Sequence, residues 1–187
     1  ITRTFLLGGT PTAEQKKVYT LVLKGHIALS RLKFPRSASG TQLDLAARYA
    51  MWQEGYNYGH GTGHGVGAHL NVHEGPHQIR MNYMPAPIVE GMTVTDEPGL
   101  YLEGRFGVRI ENVLLCVPYK QTEFGTFVGF EPLTLCPIDT KLIDMQMMTP
   151  TEIEWLNNYH QNVEKTLSPL LADEADRLWL TNACKPL

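Results

Sequence analysis

The stretch His60-Gly61-Thr62-Gly63-His64-Gly65-Val66-Gly67-Ala68-His69-Leu70-Asn71-Val72-His73-Glu74-Gly75-Pro76-His77 holds five of the chain's seven histidines. Imidazole is the commonest metal ligand and the usual proton carrier near neutral pH, so such a cluster reads as a site. Glycines beside the first two histidines let the backbone come close to something bound. His60 and His64 stand i, i+4, as on a zinc-protease helix. The intervening Gly61, Thr62 and Gly63 oppose a helix, however, and the Glu expected after the first His is missing. Alternation instead predicts a strand over Val66 to His73, with His69 and His73 on one face, Val72 on the other and His64 at its entrance.

Around this stretch, residues 58 to 138 hold short runs rich in Val, Ile, Leu, Phe and Tyr, punctuated by Gly and Pro. Met92 to Thr95, Gly107 to Pro118 and Phe127 to Pro137 are further expected strands. Most lie too close together for intervening helices, which implies antiparallel pairing. Two carboxylates sit in apolar surroundings, Glu97 after Gly91-Met-Thr-Val-Thr and Glu111 before Val113-Leu-Leu115. A carboxylate on a buried strand is costly unless paired, hydrogen-bonded or coordinating a cation. Glu97 could pair with Arg105, and Glu111 with Arg109 or Arg80; from pattern alone this stands level with metal binding. One His with two Glu on adjacent strands makes a hard, oxygen-rich donor set suited to Mn, Co or Zn. His26, His77 and His160 read as surface or satisfied core residues.

Helices flank the strand-rich middle. Thr2 to Leu7 alternates as a strand ended by Gly8-Gly9. Thr12 and Gln15 then form a capping-box pattern, and Val18, Leu21, Val22, Leu29 and Leu32 make a helical stripe stopped by Pro35. A second helix is expected from about Thr41 to Glu54, with Leu43, Ala46, Ala47, Ala50 and Met51 inward and Gly55 closing it. Thr149-Pro150-Thr151-Glu152 starts a third, with Ile153, Leu156, Val163 and Leu167 on its buried face. No repeat or linker interrupts the order, so one α+β domain is the simplest organisation.

Composition narrows the function classes. With 43% hydrophobic and 19% charged residues over 187 positions the chain has the makings of a globular core. A formal net charge of −3 gives no basic footprint for nucleic acid. Cys116, Cys136 and Cys184 form no C-x-x-C pair, so a reduced, cytoplasmic setting is the default. No apolar run is long enough to cross a bilayer.

The motifs carry a resemblance. His60-Gly-Thr-Gly-His64-Gly-Val-Gly67, Asn71-Val-His73-Glu-Gly-Pro76, Thr95-Asp-Glu97-Pro-Gly99 and Arg109-Ile-Glu111-Asn112 resemble the metal-site half of the Xaa-Pro aminopeptidases, within the creatinase and methionine-aminopeptidase superfamily of pita-bread folds. Phe130-Glu-Pro-Leu-Thr134 and Trp155-Leu-Asn-Asn-Tyr-His160 resemble the carboxy-terminal part of the long, cytosolic type. The resemblance implies a partial pita-bread fold, a curved antiparallel sheet with helices packed on its outer face. It makes His64, Glu97 and Glu111 metal ligands, with Glu111 bridging two ions. His73 would hydrogen-bond the substrate and steady the tetrahedral intermediate, His60 would line the pocket for the proline side, and Arg109 would orient the carboxylates. Two divalent metals, manganese foremost and cobalt or zinc as alternatives, would hold a bridging hydroxide that attacks the Xaa-Pro bond while Glu97 handles the proton. Thr2 or Thr95 would support the ligands from behind. His69 and His77 would be bystanders. The implied partners are a peptide with proline second and, through the helix bearing Trp155 and Tyr159, a second copy, although packing on its own domain is the commoner explanation for such a helix.

The family also needs two aspartates on a hairpin, the second standing immediately before an Ile-Thr-Arg-Thr segment. This chain begins Ile1-Thr-Arg-Thr, and neither Asp44 nor Asp96 has the position to replace them. The expectation is therefore a carboxy-terminal portion of a larger catalytic domain, 1–187, inactive by itself. Prolidase, which shares the metal and histidine pattern, and a non-catalytic peptide-binding module are the alternatives.

Overall fold

The computed structural model describes residues 1–69 and 71–187, and the chain divides into two compact units. The first comprises Ile1–Thr2 and Leu21–Thr134, the second Arg3–Thr20 and Leu135–Leu187. Helix α1, Ala13–Ser30, contributes its first turns to the second unit and the rest to the first. Thr12 caps it as expected: its amide donates to the Gln15 side chain and its hydroxyl accepts from the Gln15 amide. The helix ends at Ser30 rather than running on to Pro35, because Lys33–Pro35 form strand β1 and pair with another strand.

In the first unit, β1 opens a four-stranded antiparallel sheet of order β1-β8-β7-β4, where β4 is Thr93–Asp96, β7 Asn112–Thr122 and β8 Gly125–Pro132. Two small antiparallel pairs accompany it: β2, Gly63–His64, with β3, Gln78–Ile79, and β5, Gly99–Leu102, with β6, Phe106–Arg109. The run expected as one strand from Gly107 to Pro118 is two strands. Their junction at Ile110-Glu111 takes Glu111 out of the ladder while Glu111 N–H donates to the Thr2 carbonyl.

One face of this sheet is covered by helices. Leu29 of α1 and Leu43 and Ala47 of α2, Gly40–Gln53, form a single apolar cluster with Val94, Leu114 and Val128 from three strands. Each such fully buried aliphatic side chain is worth about 1.5–3 kcal/mol relative to exposure. Helices α1 and α2 approach closely at Gly25, where a Cβ would lie 2.2 Å from the Ala47 carbonyl oxygen. The buried face of α2 departs from the expected stripe. Asp44 and Arg48 are buried there, while Ala46 and Ala50 are half-buried.

Two expected strands are absent. Of Thr2 to Leu7 only Thr2 pairs, through a single bridge to Glu111, and Arg3 turns its side chain to the carbonyls of Cys136 and Pro137. Residues 66–69 and 71–73 form no strand either, and Leu70 lies outside the described residues. Gly67 N–H bonds the Asn71 carbonyl and Glu74 N–H the Gly65 carbonyl, so this segment satisfies its backbone by folding back on itself.

In the second unit, α3, Pro150–Leu167, starts at the Thr149–Glu152 capping box read from the sequence, and buries Leu156, Tyr159, His160 and Val163. A further helix, α4, Glu174–Ala183, capped by Asp173, has no counterpart among the expected elements.

Candidate metal centre

The donor atoms of His64, Glu97 and Glu111 lie within 4.8 Å of one another, and all three residues are half-buried. Strand topology brings them together from three places. His64 ends β2, Glu97 follows the last residue of β4, and Glu111 sits at the break before β7. The β4–β7 ladder sets Asp96 opposite Asn112, and a bridge between Gly65 and Val94 attaches the segment after β2 to β4. The glycines of the motif serve this packing rather than a ligand. A Cβ on Gly63 would stand 1.9 Å from the Thr95 carbonyl oxygen, and one on Gly65 2.0 Å from that of Glu74.

The electrostatics suit a cation. His64 Nδ1 lies 2.9 Å from the Gly65 carbonyl and so carries the proton, which leaves the Nε2 lone pair facing Glu97 Oε1 at 3.2 Å. Two ligands at about 2.1 Å from one metal, set at right angles, stand about 3 Å apart, so this separation is that of neighbours in one coordination shell. Without a cation the pair shares a proton. The bond to Glu97 raises the His64 pKa above its ordinary value. Burial alone would raise that of Glu97, but the contact with His64, the Thr95 hydroxyl and the charge of Arg109 together hold it low. Imidazole and two carboxylates, with the imidazole tautomer fixed, fit a divalent ion of the Mn, Co or Zn type.

Each carboxylate has a threonine behind it. Thr95 Oγ1 accepts the His64 amide at 3.0 Å and donates to Glu97 Oε1 at 3.1 Å. Thr2 Oγ1 donates to Glu111 Oε2 and accepts from Arg109 Nε at 3.1 Å. Arg109 therefore reaches the Glu111 carboxylate through Thr2. Glu111 also lies 3.6 Å from the Ile1 nitrogen. Glu97 thus contacts His64 and Thr95, and Glu111 contacts Thr2.

His60, His73 and Arg109 line one cleft together with His64 and Glu97. The His73 ring is exposed and packs 4.1 Å from that of His64. His60 donates from Nδ1 to the Gly61 carbonyl and accepts at Nε2 from the Tyr101 hydroxyl, which itself accepts from Arg109 Nη1. His69 is exposed. His77 is a core residue bonded through Nε2 to the Thr93 carbonyl, and His26 and His160 are likewise buried. The motifs did not single out Tyr101 or Gln78, and Arg80, weighed only as a partner for Glu111, stands with Gln78 on the cleft wall. Alternation in Gly99-Leu-Tyr-Leu102 was the available signal for Tyr101, since it puts Leu100 and Leu102 inward and the tyrosine out.

The model of metallopeptidase family M24 matches residues 1–118, and that of the C-terminal region of peptidase M24 matches residues 126–187. The chain belongs to metallopeptidase family M24. Among its M24 relatives, aminopeptidase P1 of Lotus japonicus is 48% identical over 191 aligned residues, covering 100% of this chain and 29% of that protein. A probable Xaa-Pro aminopeptidase P of Laccaria bicolor is 46% identical, with 100% and 30% covered. The crystal structure of X-prolyl aminopeptidase from Caenorhabditis elegans, described as a cytosolic enzyme with a di-nuclear active site, superposes with a TM-score of 0.89 at 42% identity over 95% of this chain and 30% of that one. Xaa-Pro dipeptidase from Bacillus anthracis gives 0.59 at 32% identity over 73% of this chain and 35% of that one. The α+β architecture with its antiparallel sheet is that of these pita-bread neighbours, as the motifs implied. The chain spans about 30% of the length of the M24 relatives it matches.

Proposed function

We propose that residues 1–187 form the carboxy-terminal portion of the catalytic domain of an M24 aminopeptidase that removes the first residue from peptides with proline second. The observation that carries this reading is the convergence of His64, Glu97 and Glu111 beside a cleft lined by His60, His73 and Arg109. His64, Glu97 and Glu111 would hold divalent metal, manganese foremost with cobalt or zinc as alternatives. When bound there, such a metal would supply Lewis acidity toward a carbonyl and a water. Glu97 would hold and pass a proton, a role supported by the contacts of its carboxylate with Thr95 and His64, which help hold its pKa low. His73 would donate to the substrate and the developing tetrahedral centre, and His60, fixed by Gly61 and Tyr101, would bound the proline side. Arg109 would hold Glu111 in place through Thr2.

The relatives matched along the whole chain favour this reading over prolidase: those 46–48% identical over 100% of it are aminopeptidases P, and the C. elegans aminopeptidase matches 95% of it. The C. elegans enzyme is described as cytosolic, which supports a cytoplasmic setting. Among the described residues no helix is long and apolar enough to cross a membrane. The family resemblance further supports a homodimeric parent enzyme with a peptide, rather than nucleic acid or a membrane, as its partner.

The resemblance also calls for two more aspartates. Asp44 is buried in an ion pair with Arg48, and Asp96 is buried against His26 and accepts from Ser30, so neither is available as a ligand. The 187 residues would therefore bind one ion weakly and hydrolyse Xaa-Pro peptides poorly. Calorimetric titration with manganese and an Xaa-Pro peptide assay test both parts. Manganese binding by the chain should be lost in Glu97→Gln, and an undiminished affinity in that variant would refute the ligand set. Turnover by 1–187 at the rate of full-length relatives would refute the inactivity.

A further inference from the structure

We infer that Thr62, held by the buried Asp44 carboxylate of α2, is a positioning residue that sets the spacing of the metal ligands His64 and Glu97. The inference rests on the metal site proposed above and concerns what stands behind it. Thr62 is fully buried, and every polar group it owns is engaged. Its amide donates to the Ile79 carbonyl at 2.8 Å, and its carbonyl accepts the Glu97 amide at 2.7 Å. Its hydroxyl donates to Asp44 Oδ1 and lies in contact with the Tyr58 hydroxyl. An ionised carboxylate only accepts, so Thr62 must give its proton to Asp44, and the Tyr58 hydroxyl donates to Thr62. Thr62 therefore joins α2, β3 and the residue after β4 in one network, two positions before His64.

The neighbours of Thr62 make this bond matter. Gly61 and Gly63 carry no side chains, so the Thr62 hydroxyl is the side-chain tether of that tripeptide. Asp44 is in turn fixed by Arg48 Nε at 2.6 Å. The remaining guanidinium nitrogens of Arg48 donate to Asn57 Oδ1, to the Tyr58 carbonyl at 2.7 Å and to the His60 carbonyl at 2.8 Å. Its guanidinium carbon stands 3.8 Å from the centre of the Tyr58 ring. Three hydrogen bonds of the guanidinium are thus spent on the loop that carries His60 and His64. An ion pair with both partners at or below 3% exposure is a poor source of stability against an apolar pair of the same volume, but it is a strict register for whatever it bonds. Here it registers the loop against β4, and with it His64 against Glu97.

Cobalt(II) serves as the probe, because its visible absorption reports coordination geometry as well as affinity. Chain 1–187, Thr62→Val, Thr62→Ser and Asp44→Asn are titrated with cobalt chloride, with circular dichroism confirming that each is folded at the working temperature. Thr62→Val should weaken cobalt binding by about 10–100-fold and shift its absorption bands at saturation, as loss of outer support for ligands does. Thr62→Ser, which keeps the hydroxyl, should restore both to near the unaltered chain. Asp44→Asn should weaken binding about tenfold in the same sense, and it carries the test if Thr62→Val does not fold. A purely structural role would lower the melting temperature and leave the bands of the saturated protein where they are. Unchanged affinity and bands in folded Thr62→Val, or in Asp44→Asn, overturn the inference alone. No cobalt binding by the unaltered chain overturns the metal reading and this inference with it.

Discussion

Residues 57–62 in the first unit and residues 136–139 in the second are both gripped by buried polar side chains. The means are alike and the cargo is not. In the first, Arg48 and Asp44 bond two backbone carbonyls and the hydroxyl of Thr62, and the segment leads directly into an imidazole and out to a carboxylate amide. In the second, Arg3 bonds the carbonyls of Cys136 and Pro137, the Tyr159 hydroxyl bonds the Cys136 carbonyl, His160 Nε2 accepts the Ile138 amide and Tyr19 donates to the Asp139 carbonyl. Among the described residues, the second grip is not followed by a group of potential metal ligands like that of the first. A buried polar clamp therefore announces a loop that must not move, and only the side chains it delivers say whether the reason is chemistry or packing.

Substitutions can separate the two. Arg48→Met should have the largest effect, costing about 3–5 kcal/mol because it leaves the Asp44 charge buried and uncompensated. Denaturant unfolding measures it, and cobalt affinity should fall in the same variant. Loss of stability with metal affinity intact would erase the contrast.

The second clamp has a pH signature. Burial, aided by the positive charge of Arg3, pushes the His160 pKa down to about 4, and the Ile138 amide requires the ring to be neutral at Nε2. The unfolded chain takes up this proton near pH 6.5 and the folded chain does not until about pH 4. Stability contributed by the neutral ring is thus complete above pH 6.5 and declines as pH falls to 4, by roughly 3 kcal/mol over the window. Unfolding free energies at pH 7.5 and 4.5 should diverge more in the unaltered chain than in His160→Gln, and equal divergence would remove this role.

Tyr159→Phe should be the mildest of the three, about 1–2 kcal/mol for a hydroxyl that meets Arg3 and Cys136. Its cobalt affinity should stay within about twofold of the unaltered chain, since outer-shell losses are tenfold or more. A drop as large as that of Arg48→Met would show that the two clamps are not separate.

Much of this was legible before any coordinates. Local signals sufficed where one element decides its own fate: Thr12 with Gln15 and Thr149 with Glu152 each cap a helix as the spacing says. The resemblance carried by the motifs brought out His64, Glu97 and Glu111, and the structure brings their donor atoms together. Legibility failed where the decision is non-local. The alternation at Val66 to His73 mimics a strand, yet Gly67 finds its partner at Asn71 within the same segment. Asp44 and Arg48 sit at helix positions that pattern reading assigns to solvent, because only the carbonyls of another loop make their burial tolerable. Helix α4 gave too short a periodicity to notice, with Leu180 its one buried residue.

The glycines at 63 and 65 also limit how this site can change over evolutionary time. A side chain at either would strike a backbone carbonyl oxygen. These two positions are therefore closed to drift, and any descendant with altered metal or substrate preference must acquire it at other positions of the motif, such as 60, 62 or 64. The alternation that first looked like latitude is a set of closed doors, and it steers variation onto the residues that face the chemistry.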